Sequence, residues 1–150
     1  MTQVYKIIFV ATAFISINAF NPCAAQSIVG KWKMVSTTSY FTAEGAAKQG
    51  KTSYVNPVPS TASIISDFKS DHTYLTTTSS ATSPTPSILG GTWSLNGDRL
   101  TITVDPKYKP RKGVESSTVT ISINGNSMII THNIENNNMV SKMTTTAERI

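Results

Sequence analysis

Cysteine is almost absent from this chain, since its 150 residues contain only Cys23. A single cysteine forms no internal disulfide and supplies no Cys-rich zinc site. There are only two histidines, His72 and His132. A nucleophile activated by a histidine and an orienting acid needs a richer set of residues than this. We therefore expect a binding protein rather than an enzyme, with no metal site and no cofactor.

Charge is also scarce, because charged residues make up 14% of the chain. Thirteen Lys and Arg face eight Asp and Glu, for a formal net charge of +5. Nucleic-acid-binding surfaces need a contiguous basic face with interleaved aromatic residues. The cations here are scattered outside one segment, so we expect no nucleic-acid partner. That segment carries Lys107, Lys109, Arg111 and Lys112.

The first 25 residues resemble a secretory signal peptide. Lys6 is their only charge, the stretch from Ile7 to Phe20 is mostly apolar, and Cys23-Ala24-Ala25 offers small residues for cleavage. The apolar run is too short to span a bilayer comfortably. We predict cleavage after Ala25 and a secreted or periplasmic protein with no membrane span. Lipid attachment to Cys23 is the alternative, although the preceding residues do not resemble a lipobox.

Residues 26–150 have the length of one domain, for which we expect a monomer. Their apolar residues follow a period of two, which is typical of strands. Trp93 to Leu95 leads into Asn96-Gly97, and Leu100 to Val104 leads out of it, which predicts a hairpin. The pattern recurs 28 positions later around Asn124-Gly125. Further strands are predicted at Ile28 to Thr38, Ala62 to Phe68, Thr73 to Ser79, and Met139 to about Thr146.

Tight turns alternate with long connections along this domain. The tight turns are at Ser70-Asp71, Asn96-Gly97 and Asn124-Gly125, and the long connections are at 39–61, 80–87, 105–116 and 133–138. In an up-and-down meander, all tight turns fall at one end and all long loops at the other. We therefore predict an all-β fold, an eight-stranded antiparallel barrel with one pinched end and one open end. The first connection contains Ala43 to Lys48, which can form a turn of helix.

The direction of the alternation excludes an outer-membrane barrel, because the outward positions are polar. A two-sheet sandwich uses the same alternation and stays open as an alternative.

Three segments carry a family resemblance. Gly30-Lys31-Trp32 resembles the Gly-x-Trp signature of the calycin superfamily. The segments Phe68 to Tyr74 and Gly91 to Ile102 resemble those of secreted lipocalin-like domains of Bacteroidetes bacteria. His72 departs from the pattern by replacing the usual turn glycine, and no long C-terminal helix follows the last strand. The resemblance implies that Trp32 plugs the pinched end beneath a basic side chain from the last strand, Arg149 or, second, Lys142.

The predicted function is non-catalytic binding of a small hydrophobic or amphipathic ligand inside the barrel. Its headgroup would be anionic if the cations of Lys107 to Lys112 contact it, although a solvated loop is the simpler interpretation. The alternative is a filled barrel whose open-end loops, with Tyr40, Phe41 and Tyr54, bind a protein or glycan. The alternation predicts these wall residues: Met34, Ser36, Ile64, Tyr74, Thr76, Ile102, Val104, Val119, Ile130, Ser141 and Met143.

Overall fold

The computed structural model describes residues 27–108, 115–134 and 138–150. The predicted leader lies outside these described residues. They contain one helix, α1 (Ala43–Gln49), and a short 3-10 helix (Pro106–Tyr108). Their strands are β1 (Gly30–Phe41), β2 (Ser53–Pro57), β3 (Ala62–Phe68), β4 (Thr73–Ser80), β5 (Ser83–Asn96), β6 (Arg99–Val104), β7 (Ser116–Asn124), β8 (Ser127–Asn133) and β9 (Val140–Arg149).

Eight of these strands form a closed antiparallel barrel. Each strand from β3 to β8 pairs with the next, while β1 pairs with β3 on one side and with β9 on the other. This closure confirms the predicted up-and-down barrel and excludes the sandwich. Among the described strands, β2 pairs only with the later part of β1, from Ser36 to Tyr40. The connection predicted at 39–61 thus contains an extra strand that the sequence analysis missed.

The same connection contains the predicted helical segment. Thr42 caps α1 by accepting a hydrogen bond from the Gly45 nitrogen, and Gly50 ends the helix with a φ of 67°. An N-cap hydroxyl and a left-handed glycine are the usual signals for the two helix ends. The turn of helix predicted at Ala43 to Lys48 is confirmed.

The tight turns define one end of the barrel, called here the closed end. Gly97 and Gly125 have φ values of 61° and 60°, each as the first residue of a two-residue turn. Among the described non-glycine residues, only His72 has a positive φ. The turns at Gly97 and Gly125 therefore have the form of type II′ turns, whose twist suits a hairpin. The two predicted hairpins of one design are confirmed.

The long loop predicted at 80–87 is wrong. β5 begins at Ser83 after a turn of two residues, and it pairs with β4 from the start. The pairing of β4 with β5 is irregular between Thr78 and Ser80, where Ser87 and Ser83 are the partners. Pro84 and Pro86 lie within this irregularity, outside the regular ladder. Proline is tolerated at such bulges because it interrupts no regular ladder hydrogen bond there.

The buried core lies at the closed end. The indoles and the other large rings of the inner face meet there, with the N-terminal segment below them. Its buried members are Ile28, Trp32, Phe68, Tyr74, Trp93, Leu100, Ile121, Met128 and Ala147.

Candidate functional site

The floor of the barrel is sealed by Trp32 and Arg149. The Trp32 side chain is 1% exposed, and its indole nitrogen donates to the Ile28 carbonyl at 2.8 Å. The Arg149 guanidinium lies 4.4 Å from the centre of the indole ring. Its nitrogens donate to the carbonyls of Val29, at 2.9 Å, and Ser27, at 2.6 Å. The predicted contact of Arg149 with Trp32 is confirmed.

The second basic candidate, Lys142, lies elsewhere. Its ammonium nitrogen is 4.3 Å from the ring centre of Tyr40, which is its cross-strand partner on the outer face. Lys142 therefore does not stack on Trp32.

Trp93 fills the floor beside the turn between β3 and β4. Its indole N–H donates to the carbonyls of both Lys69 and Thr73, each at 3.1 Å. The centre of the His72 ring lies 4.7 Å from the centre of the indole ring. The Phe68 ring meets the indole edge to face, with 6.1 Å between the ring centres. This packing confirms a core role for Trp93. It also gives His72 a contact that glycine at this position lacks.

The upper half of the barrel lies between this floor and the open end. Its inward side chains are less buried than those of the floor. Cross-strand partners share one face, so the register can be followed from Trp32 around the barrel. Leu89, on the inner face of β5, is 37% exposed. The register brings eight predicted wall residues to the same inner face, all half-buried: Met34, Ile64, Thr76, Ile102, Val104, Val119, Ile130 and Met143.

Three predicted wall residues lie elsewhere. Tyr74 points inward but is part of the buried floor, with 4% exposure. Ser141 is exposed at the open end, where its hydroxyl donates to the Tyr40 carbonyl at 3.3 Å. Ser36 lies on the outer face, so its assignment to the inner face is wrong.

A β-bulge accounts for the position of Ser36. Met34 pairs with Ala147, but Ser36 pairs with Thr146, so Val35 is an extra residue in β1. One extra residue reverses the alternation beyond it. Thr37 therefore takes the inward position, opposite Thr145. The sequence offers no proline or glycine at this point to signal the bulge.

The inner face also carries two hydroxyl pairs that the sequence analysis missed. The Ser66 and Thr76 hydroxyl oxygens are 2.9 Å apart, and those of Thr37 and Thr145 are 3.4 Å apart. Each pair joins neighbouring strands, and all four side chains are half-buried. They form a polar band within an otherwise mostly apolar lining.

Titratable side chains are few on this face. Among the described strands, the register places no Lys, Asp or Glu there; the inner ionisable residues are Tyr74, His132 and Arg149. Burial raises the pKa of Tyr74, so its phenol is neutral at physiological pH. His132 is exposed near the end of β8. The described residues contain no group of three or more His, Cys, Asp and Glu that could hold a metal ion.

At the rim of the open end, Thr42 extends the contact between the neighbouring strands β1 and β9. Its nitrogen donates to the Met139 carbonyl at 3.0 Å, and its hydroxyl donates to the Asn138 carbonyl. A Cβ atom on Gly45 would lie 2.1 Å from the Met139 oxygen, so only glycine allows this approach. The contacts fix the start of α1 to the chain just before β9.

The described part of the cationic segment lies against the outer surface. The Lys107 ammonium is 3.0 Å from an Asp105 carboxylate oxygen, which raises the pKa of Lys107. Tyr108 packs over Gly90, where a Cβ atom would lie 2.8 Å from the ring. A surface depression of about 410 Å³ adjoins Lys107, Tyr108 and Lys69. Lys109, Arg111 and Lys112 lie outside the described residues.

None of the described helices has the length and hydrophobicity needed to cross a membrane.

Comparison with known proteins gives one consistent result. A family model described as a lipocalin-like domain matches residues 28–130. A lipocalin-like protein from Bacteroides uniformis has a similar structure, with a TM-score of 0.56, 14% identity, and coverage of 81% of this chain and 97% of its own. An uncharacterized protein from Bacteroides eggerthii is also similar, with a TM-score of 0.53 and 16% identity. The match covers 83% of this chain and 100% of that protein. No curated protein sequence matches significantly.

Proposed function

The chain belongs to the lipocalin-like domain family, and from that premise we propose that the upper half of its barrel binds a small, largely apolar ligand without chemistry. The observation that carries the proposal is the partial exposure of inward side chains such as Ile102, Val119 and Ile130. In a closed barrel, such side chains reach solvent chiefly through interior space. An accessible apolar lining with a few polar groups is the usual character of a small-molecule site.

The proposed site has a floor and a wall. Tyr74 belongs to the floor, Ser141 to the rim, and Ser36 is left out because its register is outward. The wall consists of Met34, Thr37, Ile64, Thr76, Ile102, Val104, Val119, Ile130 and Met143.

Neighbouring isoleucines on β8 provide a matched test. Ile130 is half-buried on the inner face, whereas Ile129 is 44% exposed on the outer face. Ile130→Ala should weaken binding of an apolar fluorescent probe about ten-fold, which is about 1.4 kcal/mol, or just under two buried CH₂ contacts at roughly 0.8 kcal/mol each. Ile129→Ala should leave the affinity within about two-fold. Equal effects of the two substitutions would contradict a site inside the barrel.

The ligand itself is accessible through native mass spectrometry of protein taken from its own host. We expect a co-purifying small molecule, because a preformed apolar pocket that covers most of a ligand tends to retain it. Absence of any retained molecule, together with no binding of the apolar probe, would favour the alternative, a filled barrel whose open-end loops bind a protein or glycan. Tyr54 and Val55 of β2, 45% and 54% exposed, are then the surface to test.

We also propose that the protein is exported from the cytoplasm. The apolar leader with Lys6 and the small residues before Gln26 support a secreted or periplasmic protein. Intact-mass analysis should give Gln26 as the first residue, with no lipid. A diacylglyceryl group on Cys23 would contradict cleavage after Ala25.

A further inference from the structure

The Tyr74 hydroxyl is the feature of the barrel interior that the fold leaves unexplained. Among the described residues, it is the one buried side-chain polar atom without a hydrogen-bond partner. Its ring packs beside Phe68 at 6.1 Å, and the facing residue on β5, Gly91, has no side chain. A buried polar group without a partner costs free energy, so such groups are rare and need a reason.

Tyr74 stands next to the polar band on the inner face of β4. The next inward residue on β4 is Thr76, which shares a hydrogen bond with Ser66, and Thr37 shares one with Thr145. Two hydroxyls joined by one hydrogen bond still hold one unused donor and several unused lone pairs. The band and Tyr74 therefore offer hydrogen bonds from neutral groups.

Charge, by contrast, is missing from this part of the inner face. The Arg149 guanidinium is engaged on the far side of the floor by the Trp32 ring and by the carbonyls of Val29 and Ser27. The strand register puts no ammonium group on the described inner face. A carboxylate carried into this interior would lose its hydration without gaining a cation, which is unfavourable.

We propose that the inserted end of the ligand is uncharged and carries an oxygen that accepts a hydrogen bond from the Tyr74 hydroxyl. The chemical class is a neutral oxygenated amphiphile, such as an alcohol, a ketone or an ester. This inference rests on the proposed function, because it assigns a contact within the same site. The hydroxyl lies below the solvent-accessible layer, so the side chains above it must shift as the ligand enters.

A matched set of probes tests the inference: methyl decanoate, decanol, decane and decanoate, measured by displacement of the apolar fluorescent probe at neutral pH. Methyl decanoate and decanol should bind about ten-fold more tightly than decane, which has no acceptor. Decanoate should bind no more tightly than decane. Tyr74→Phe should remove the advantage of the ester and leave decane unchanged. The variant should fold, since it only deletes an unpaired hydroxyl.

Tyr40→Phe is the control, because it removes the same atom from the outer face. It should leave all four affinities unchanged. Ester binding that is insensitive to Tyr74→Phe, or decanoate binding more tightly than the ester, would refute this inference and leave the proposed function standing. Failure of every probe, decane included, would refute the proposed function as well.

Discussion

The two halves of the barrel are built from the same strands but differ in what their inward side chains meet. At the closed end, Trp32, Phe68 and Trp93 fill the interior and are at most 8% exposed. Above them, the inward residues are smaller, and they include hydroxyl pairs and partly exposed apolar groups such as Leu89. The packed end stabilises the fold, and the less packed end is where we propose that a ligand binds.

The largest expected effect that tests this contrast is that of Trp32→Ala. Truncating a fully buried aromatic side chain in a packed core should lower the free energy of unfolding by about 3–5 kcal/mol. Chemical denaturation monitored by circular dichroism measures the change.

Leu89→Ala is the upper-half counterpart. Leu89 is 37% exposed, so its truncation should cost about 1 kcal/mol or less. Similar losses for Trp32→Ala and Leu89→Ala would mean that the two halves do not differ in packing.

Arg149→Met is expected to have the next largest effect. It keeps an apolar stem against the indole but loses the guanidinium contact with Trp32 and the hydrogen bonds to Val29 and Ser27. A loss of about 2 kcal/mol is expected from the cation–π contact and the hydrogen bonds together. Lys142→Met, which removes the same kind of contact from exposed Tyr40, should cost about 0.5 kcal/mol. Equal costs would argue against a sealing role for Arg149.

The smallest expected effect concerns pH at a closed-end turn. Hydrogen bonds from the Thr73 hydroxyl and nitrogen lower the pKa of Asp71 below its ordinary value of 3.8. A lowered folded-state pKa stabilises the protein above pH 3.8 and loses that contribution as the pH falls through the folded-state pKa. Asp71→Asn should therefore be less stable than the parent at pH 6, with a difference that shrinks toward pH 2. A difference independent of pH would rule out this titration as its cause.

The closed end could be predicted from the sequence, because its signals are local. Asn96-Gly97 and Asn124-Gly125 specify turns by themselves, and Gly30-Lys31-Trp32 begins a strand whose alternation is unbroken as far as Met34. The family resemblance then supplied the pairing of Arg149 with Trp32, which cross-strand register confirms.

The open end was predicted less well, because its structure depends on neighbouring strands. The bulge at Val35 moves Ser36 outward and Thr37 inward, and it shows only in the pairing with β9. Pro84 and Pro86 resemble loop residues, yet they lie in β5 opposite an irregularity in its pairing with β4, where proline is tolerated. The partnerless hydroxyl of Tyr74 depends on what surrounds it in three dimensions.

The central claim is that ligand occupies the upper half of the barrel, and isoleucine methyl groups report on it directly. With isoleucine methyl labelling, intermolecular nuclear Overhauser effects from methyl decanoate should reach the half-buried inner residues Ile64, Ile102 and Ile130. They should not reach Ile88 and Ile129, which are 48% and 44% exposed. Effects confined to those two exposed residues would contradict the claim.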